Sequence, residues 1–392
     1  MADIFVVDAL RTPFGSFGGA LSEVDAPRLA GAVMQALVER AGLGPADVDE
    51  VIVGQVLTGG LGQAPARQAM RHAGLADSVH ALTINKVCGS GLKAILLGAD
   101  SIRVGESRVV IAGGMENMSL APFVLKKARY GYRMGHGELV DLMVYDGLQD
   151  AYSGKHSGEI ADENAARHGL SREVQDEFAI QSYRLAQRAV KEGIFEDELV
   201  PVVKRGRKGE EVQVTEDEEP FKADFAKMLQ LRPAFKKDGT VTAGNASTIN
   251  DGAALALLAG ADALQRHNLK PRARLLASAA FSTSPDLFPE APVEAIQAVC
   301  AKAGVKLGEI DLFEINEAFA AVPLIAIKAL RLDPARVNVN GGAVAIGHPI
   351  GASGGRLVAT AIRELHRRQA RYGLVALCIG GGEALAAIFE RV

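Results

Sequence analysis

The chain has 392 residues, 48% hydrophobic and 23% charged, with a formal net charge of −4. That length can bury one large core or two ordinary ones, and the nearly balanced charge excludes the basic footprint of a nucleic-acid or anionic-membrane binder. The three cysteines, at 88, 300 and 378, fit neither a disulfide framework nor a zinc site, and no apolar run reaches the ~18 residues of a spanning helix. A reduced, cytoplasmic protein is expected.

The first five residues, Met1-Ala2-Asp3-Ile4-Phe5, are acidic where a signal peptide is basic, and they enter a strand at once. Residues 27–53 then read as a helix with Leu29, Val33 and Leu37 on one face, Gly42 at its end, a short loop and an apolar strand. A further strand over 80–87 turns at Cys88-Gly89-Ser90-Gly91 into an apolar helix running to Ile102, followed by a strand at 109–114. From about 120 to 245 the chain is charged, helical (173–191) and poor in strand signal, the character of an insertion. Its basic run at 204–208 is followed by the acidic run 216–219, which reads as a solvated loop.

Beyond the insertion the first pattern returns. Residues 292–315 repeat 27–53: Ala41-Gly42-Leu43 falls on Ala303-Gly304-Val305, and Asp49 on Asp311. Gly351-Ala352-Ser353-Gly354-Gly355 opens a helix leading to a strand at 374–380, as 88–91 does in the first half. Helices alternating with continuous apolar strands predict sheets covered on both faces. The expected architecture is therefore α/β, with two βαβ-type halves packed on each other. The first takes 1–119 and about 246–269, the second 270–392, with 120–245 inserted.

Few residues carry reactive chemistry. Cys300 lies on the apolar stripe of the repeated helix, where a free thiol behaves as a small hydrophobe. Cys88 sits at a strand-to-helix turn. It is either a small residue filling a tight bend or a nucleophile whose thiolate the helix N-terminus stabilises. His348 occupies the glycine-rich, charge-free stretch 341–351, which offers it little packing purpose. Cys378 ends an apolar strand before Gly380-Gly381-Gly382, where it either fills the core or meets a ligand. Asn316 and Glu317 follow a strand and either cap the next helix or face a site.

Taken together, Cys88-x-Ser90, Asn316-Glu317-Ala318-Phe319, Gly347-His348-Pro349 and Cys378-x-Gly380 appear in the order of the four thiolase fingerprints. Further stretches extend the likeness nearly end to end: "RTPFG" at 11–15, "GGMENMS" at 113–119, "LRPAF" at 231–235, "TAGNAS" at 242–247 and "HPIGASGGR" at 348–356. The chain resembles the thiolases. That resemblance implies the thiolase fold, a layered αβαβα core with an inserted loop domain that binds coenzyme A and forms tetramers. "KKARYGYRMGHGELVDLM" at 126–143 is similar to the tetramerising region, so a homotetramer, a dimer of dimers, is expected.

The resemblance also implies an acetyl-CoA C-acetyltransferase acting by ping-pong chemistry on coenzyme A thioesters, with no bound cofactor and no metal. A 3-ketoacyl-CoA thiolase of longer-chain substrates is the alternative. Cys88 would carry the acyl group, His348 accept its proton and Cys378 serve as the second base. Asn316 would hold a water at the enolate oxygen, and the N–H groups of Cys88 and Gly380 would hold the tetrahedral intermediate. Leu148, His156, Ala243, Ser247, Ala318 and Phe319 would line the pantetheine path. Four positions depart from the family pattern: Ser157 and Phe288, which border the acyl pocket, Lys222, expected to bind coenzyme A as a point charge in place of the usual arginine near the adenine, and Ala384, where glycine is usual. A decarboxylating condensing enzyme would place histidine or asparagine chemistry where Cys378 stands. A dinucleotide-binding module would need a G-x-G-x-x-G turn between strand and helix with an acidic residue ~20 positions on, which the chain lacks.

Overall fold

The computed structural model describes residues 3–206 and 209–392. Met1 and Ala2 of the acidic start, and Arg207 and Lys208 of the basic run, lie outside the described residues.

The first half begins with strand β1 (Ile4–Arg11) and helix α1 (Ala26–Ala41). Asp25 caps α1 by accepting the Arg28 N–H at 2.9 Å, and Gly42 ends it with a left-handed φ of 67°. Strand β2 (Glu50–Gly54), helix α2 (Pro65–His72), strand β3 (His80–Ile84), helix α3 (Ser90–Val104) and strand β4 (Val109–Asn117) follow. The insertion carries helices α4 (Ser157–Arg167) and α5 (Arg172–Lys191), a six-residue π-helix at Met143–Leu148 and two short hairpins. Strand β5 (Asn250–Gly260) returns the chain to the first sheet.

The second half repeats the plan with β6 (Ala273–Ser282), α6 (Ala291–Ala303), β7 (Leu312–Ile315), α7 (Ala321–Leu330), α8 (Ser353–Arg368), β8 (Tyr372–Ile379) and β9 (Glu383–Arg391). Gly304 ends α6 with the same φ of 67° that Gly42 gives α1. One difference from the sequence reading is a four-residue helix, Ala343–Ile346, inside the glycine-rich stretch. Its first turn is fixed from outside, because Glu317 accepts the Val344 N–H.

The strands run β7-β8-β9-β6-β1-β5-β4-β2-β3. Within each half the pattern is the same: β4 and β2 pair in parallel as β8 and β7 do, while β5 and β9 are antiparallel to their neighbours. A parallel bridge from Phe313 to Val337 stands where β3 flanks β2. Within the sheet, the halves meet where β1 pairs with β6, Phe5 with Arg274 and Val6 with Ala273.

Three apolar clusters define five layers. One packs α1 (Leu29, Val33, Leu37) on the first sheet, and another packs α6 (Ile296, Val299) on the second. The third lies between the sheets, where Leu92 and Ile95 of α3 meet Leu357, Val358 and Ile362 of α8. The layered αβαβα order therefore holds, with the starts of α3 and α8 brought together in the central layer. No helix among the described residues is long and apolar enough to cross a membrane.

Candidate active site

The turn between β3 and α3 is built to present Cys88. Val87, just before it, has a φ of +47°, an uncommon conformation for a β-branched residue. The Ser90 hydroxyl holds the turn, accepting the Lys86 N–H at 2.8 Å and donating to the Val87 carbonyl at 2.7 Å. Close approach accounts for Gly91: a Cβ there would press on the carbonyl of Gly351 at the start of α8. The helix that follows Cys88 thus meets the loop that carries His348.

His348 is 6% exposed, and its protonation pattern follows from one serine. The Ser353 hydroxyl lies 3.0 Å from the Pro349 carbonyl and 2.5 Å from His348 Nδ1; with its one proton given to the carbonyl, its oxygen accepts from Nδ1. Nδ1 then carries the ring proton and Nε2 presents a lone pair with no hydrogen-bond partner among the described residues. Burial pushes the imidazole down to about 4, with the Arg356 charge acting in the same direction. The ring is neutral, a base in waiting.

Burial pushes the Cys88 thiol up to about 11, against the pull of the Gly380 N–H and its own. This corrects the expectation that the helix start lowers it: loss of water outweighs the N–H groups, so the resting group is a thiol. Cys378, at the end of β8, is 1% exposed and pushed well above the usual thiol value, by burial first and then by Cys88. Asn316, at the end of β7, is fully buried, and neither its Oδ1 nor its Nδ2 has a hydrogen-bond partner among the described residues. It is no helix cap. Glu317 is a strut instead, accepting from Ser182 Oγ, Asn338 Nδ2 and the Val344 N–H at 2.7 to 3.1 Å.

A cavity of about 1170 Å³ has Cys88, His348 and Gly380 in its wall, whereas Cys378 and Asn316 are not among its lining residues. Leu148, His156, Ala243, Ser247, Ala318 and Phe319 also line it. His156 does two things. Its Nδ1 accepts the Gly158 N–H at 3.0 Å as the cap of α4, and its ring stacks on Phe235 at 4.7 Å. With Nδ1 accepting, Nε2 carries the proton and is a donor. Phe235 in turn meets Phe319 edge-on at 6.2 Å. Ser157 and Phe288 both face the cavity, and Phe288 is 4% exposed.

Lys222 stands apart from this wall. Its ammonium bonds the Ser16 hydroxyl and lies 3.7 and 3.9 Å from Glu218 and Glu219. Cys300 packs in the second half's core. Sequence reasoning passed over Phe17, Tyr145 and Phe235 in the cavity wall, and Ser353 and Glu116 behind it. Glu116 alone left a readable mark: a charged residue near the end of a strand that is buried throughout.

Residues 4–262 match the model of the thiolase N-terminal domain and residues 269–391 that of the thiolase C-terminal domain. An acetyl-CoA acetyltransferase of Pseudomonas aeruginosa is 50% identical over 392 residues, covering 100% of each chain. A probable acetyl-CoA acyltransferase of Staphylococcus aureus is 47% identical, again over 100% of both. The crystal structure of the Bacillus anthracis acetyl-CoA acetyltransferase superposes with a TM-score of 0.97 at 40% identity, covering 100% of this chain and 99% of that one. The chain belongs to the thiolase family.

Proposed function

We propose that the protein is an acetyl-CoA C-acetyltransferase, interconverting two acetyl-CoA with acetoacetyl-CoA and coenzyme A through an acetyl-Cys88 intermediate. The observation that carries this is a thiol and a neutral imidazole with its Nε2 lone pair free in one cavity wall, with a second, buried thiol near enough to Cys88 to be influenced by it. The family and its acetyl-CoA acetyltransferase relatives support the substrate.

In the first half-reaction the Cys88 sulfur attacks the thioester carbonyl and its proton passes to His348 Nε2. The oxyanion is held by the N–H groups of Cys88 and Gly380, the two that already address the sulfur. Collapse expels the coenzyme A thiolate, which takes the Cys378 proton. In the second half-reaction the Cys378 thiolate removes the α-proton of a second acetyl-CoA. The enolate oxygen is supported by His348 Nε2–H and, through a water, by Asn316. Carbon–carbon bond formation at the acetyl group expels the Cys88 thiolate, which recovers its proton from His348. All three groups return to their resting states. The reaction draws on protein groups and coenzyme A thioesters alone, with no resident cofactor or metal.

The pantetheine arm would lie along Leu148, His156, Ala243, Ser247, Ala318 and Phe319. We place the enzyme in the cytoplasm as a homotetramer assembled through residues 126–143, where Tyr130 is 91% and Met134 99% exposed. A panel of 3-ketoacyl-CoA substrates, assayed for thiolysis, tests the substrate: kcat/KM should peak at four carbons. A peak at six or more would transfer the assignment to a longer-chain 3-ketoacyl-CoA thiolase, with Ser157 and Phe288 as the first residues to vary.

A further inference from the structure

Glu116 is fully buried near the end of β4, where a charge is costly. Its carboxylate accepts three backbone N–H groups from two segments. Oε2 takes those of Val56 and Gly351, and Oε1 that of Leu57, each at 3.0 Å. Val56 and Leu57 follow β2 in the first half, whereas Gly351 belongs to the second half's loop, three residues after His348. The two segments contribute Val56, Leu57 and Ile350 to one small apolar cluster, against which Val87 and Cys88 pack. The fit leaves no slack, because a Cβ at Gly114 would overlap the Gly351 carbonyl. The charge also reaches the nucleophile, as Glu116 is among the influences that raise the Cys88 thiol.

We propose that Glu116 is a positioning residue for the acyl-transfer step: its ionised carboxylate ties the first half's 56–57 segment to the His348 loop and keeps the imidazole opposed to Cys88. Burial chiefly keeps Cys88 a thiol, and the Glu116 charge adds to it. Three accepted bonds require a carboxylate; a carboxamide offers one oxygen and turns a donor toward a donor. Charged and titratable groups face this arrangement from each packed element: Asp251 on β5, Cys88 before α3, Cys378 on β8, and His348 and Arg356 around the start of α8. Burial pushes Glu116 itself up to about 7 against the three N–H groups, and Asp251 adds to that rise.

The inference rests on the reading of Cys88 as nucleophile, so the experiment first alkylates the wild type with iodoacetamide and maps the modified residue by mass. Activity that survives modification of Cys88 sinks the functional reading whatever Glu116 does. With that step passed, Glu116→Gln should lower kcat for acetoacetyl-CoA thiolysis by ~10²-fold with KM within about threefold, the cost of a base misplaced by about 1 Å. Its Cys88 alkylation midpoint should move to lower pH, by at least ~0.3 unit, because a like charge has been removed. Glu116→Asp keeps the charge but shortens the reach, so kcat should fall while the midpoint holds. A merely structural role lowers the stability of both variants and leaves the kcat of the folded protein at the wild-type value. An unmoved midpoint in Glu116→Gln, or a wild-type kcat in either variant, overturns the proposal. Should Glu116→Gln fail to fold, Glu116→Asp decides alone through kcat.

Discussion

The two halves of the molecule share a scaffold but not the side chains set on it. Asp49 Oδ2 accepts the N–H groups of Arg108 and Val109 at 2.8 and 2.9 Å; Asp311 Oδ2 accepts those of Arg371 and Tyr372 at the same distances. Four residues on, Val53 pairs with Gly113, and Ile315 with Ala376. The next steps diverge. Gly54 stands where the second half has Asn316, and Met115 where it has Cys378. At the turns, Ser90 and Ser353 each bond back to the preceding backbone. Two residues before them stand Cys88 and Gly351, and five before them Asn85 and His348. Each proposed reacting group therefore has an unreactive counterpart in the other half. Two copies of one strand-end and helix-start framework, packed about the central helices, set Cys88 on one copy and His348 on the other in one cavity wall, with Cys378 and Asn316 buried at strand ends of the second copy.

The largest effects should separate the two thiols. Cys88→Ala should lose thiolysis and condensation by at least ~10⁴-fold, as enzymes without their nucleophile do. Cys378→Ala should still become acetylated by acetyl-CoA, read as a mass increase on Cys88, while condensation falls by ~10²- to 10⁴-fold, the usual worth of a general base. Failure of that variant to accept an acetyl group would break the division of labour between the halves.

Much of the shared scaffold was legible in the sequence. The helix–glycine–strand echo of 27–53 and 292–315 became α1 with β2 and α6 with β7, with Gly42 and Gly304 in the same left-handed conformation. Strand order was not legible. β5 inserts between β1 and β4 through antiparallel pairs that span the whole insertion, and nothing local in the chain specifies them. The thiol of Cys88 was misjudged for a related reason. Sequence reveals a helix start, whereas the burial that outweighs it comes from Val56, Leu57 and Ile350, distant in the chain. Lys222 was placed by its neighbourhood in the sequence, but its partners are Ser16, from the far end of the first half, and the adjacent Glu218 and Glu219.

A smaller effect distinguishes the two serines. Ser353→Ala removes the acceptor that fixes the proton on Nδ1, leaving the imidazole free to choose the wrong tautomer, and kcat should fall by roughly 10²-fold with KM held. Ser90→Ala removes two backbone hydrogen bonds at the equivalent turn, a stability loss of about 1 kcal/mol each, measured by denaturant unfolding. Its kcat should exceed that of Ser353→Ala at least tenfold. Equal kcat losses would mean that Ser353, like Ser90, only braces a turn.

The smallest effect sharpens the comparison most, because it concerns strain on one side alone. Val87 precedes Cys88 with a φ of +47°, while its counterpart Ile350, before Gly351, has no positive φ. Strain of this kind costs of order 1–3 kcal/mol and persists where surrounding structure enforces it. Val87→Gly relieves that strain but adds ~0.5–1 kcal/mol of unfolded-chain entropy and gives up ~1 kcal/mol of side-chain burial. These terms oppose one another, so stability should move by less than ~1 kcal/mol. Activity should nonetheless drop about tenfold, since the thiol loses the bend that aims it. Ile350→Gly has no strain to relieve and should cost several kcal/mol, as large-to-small changes in a core do. Unfolding free energies of the two variants make the test. Near-equal losses would mean that the bend before Cys88 is incidental to the fold; a gap of 2 kcal/mol or more would place the stored strain at the nucleophile, on the half of the molecule that attacks.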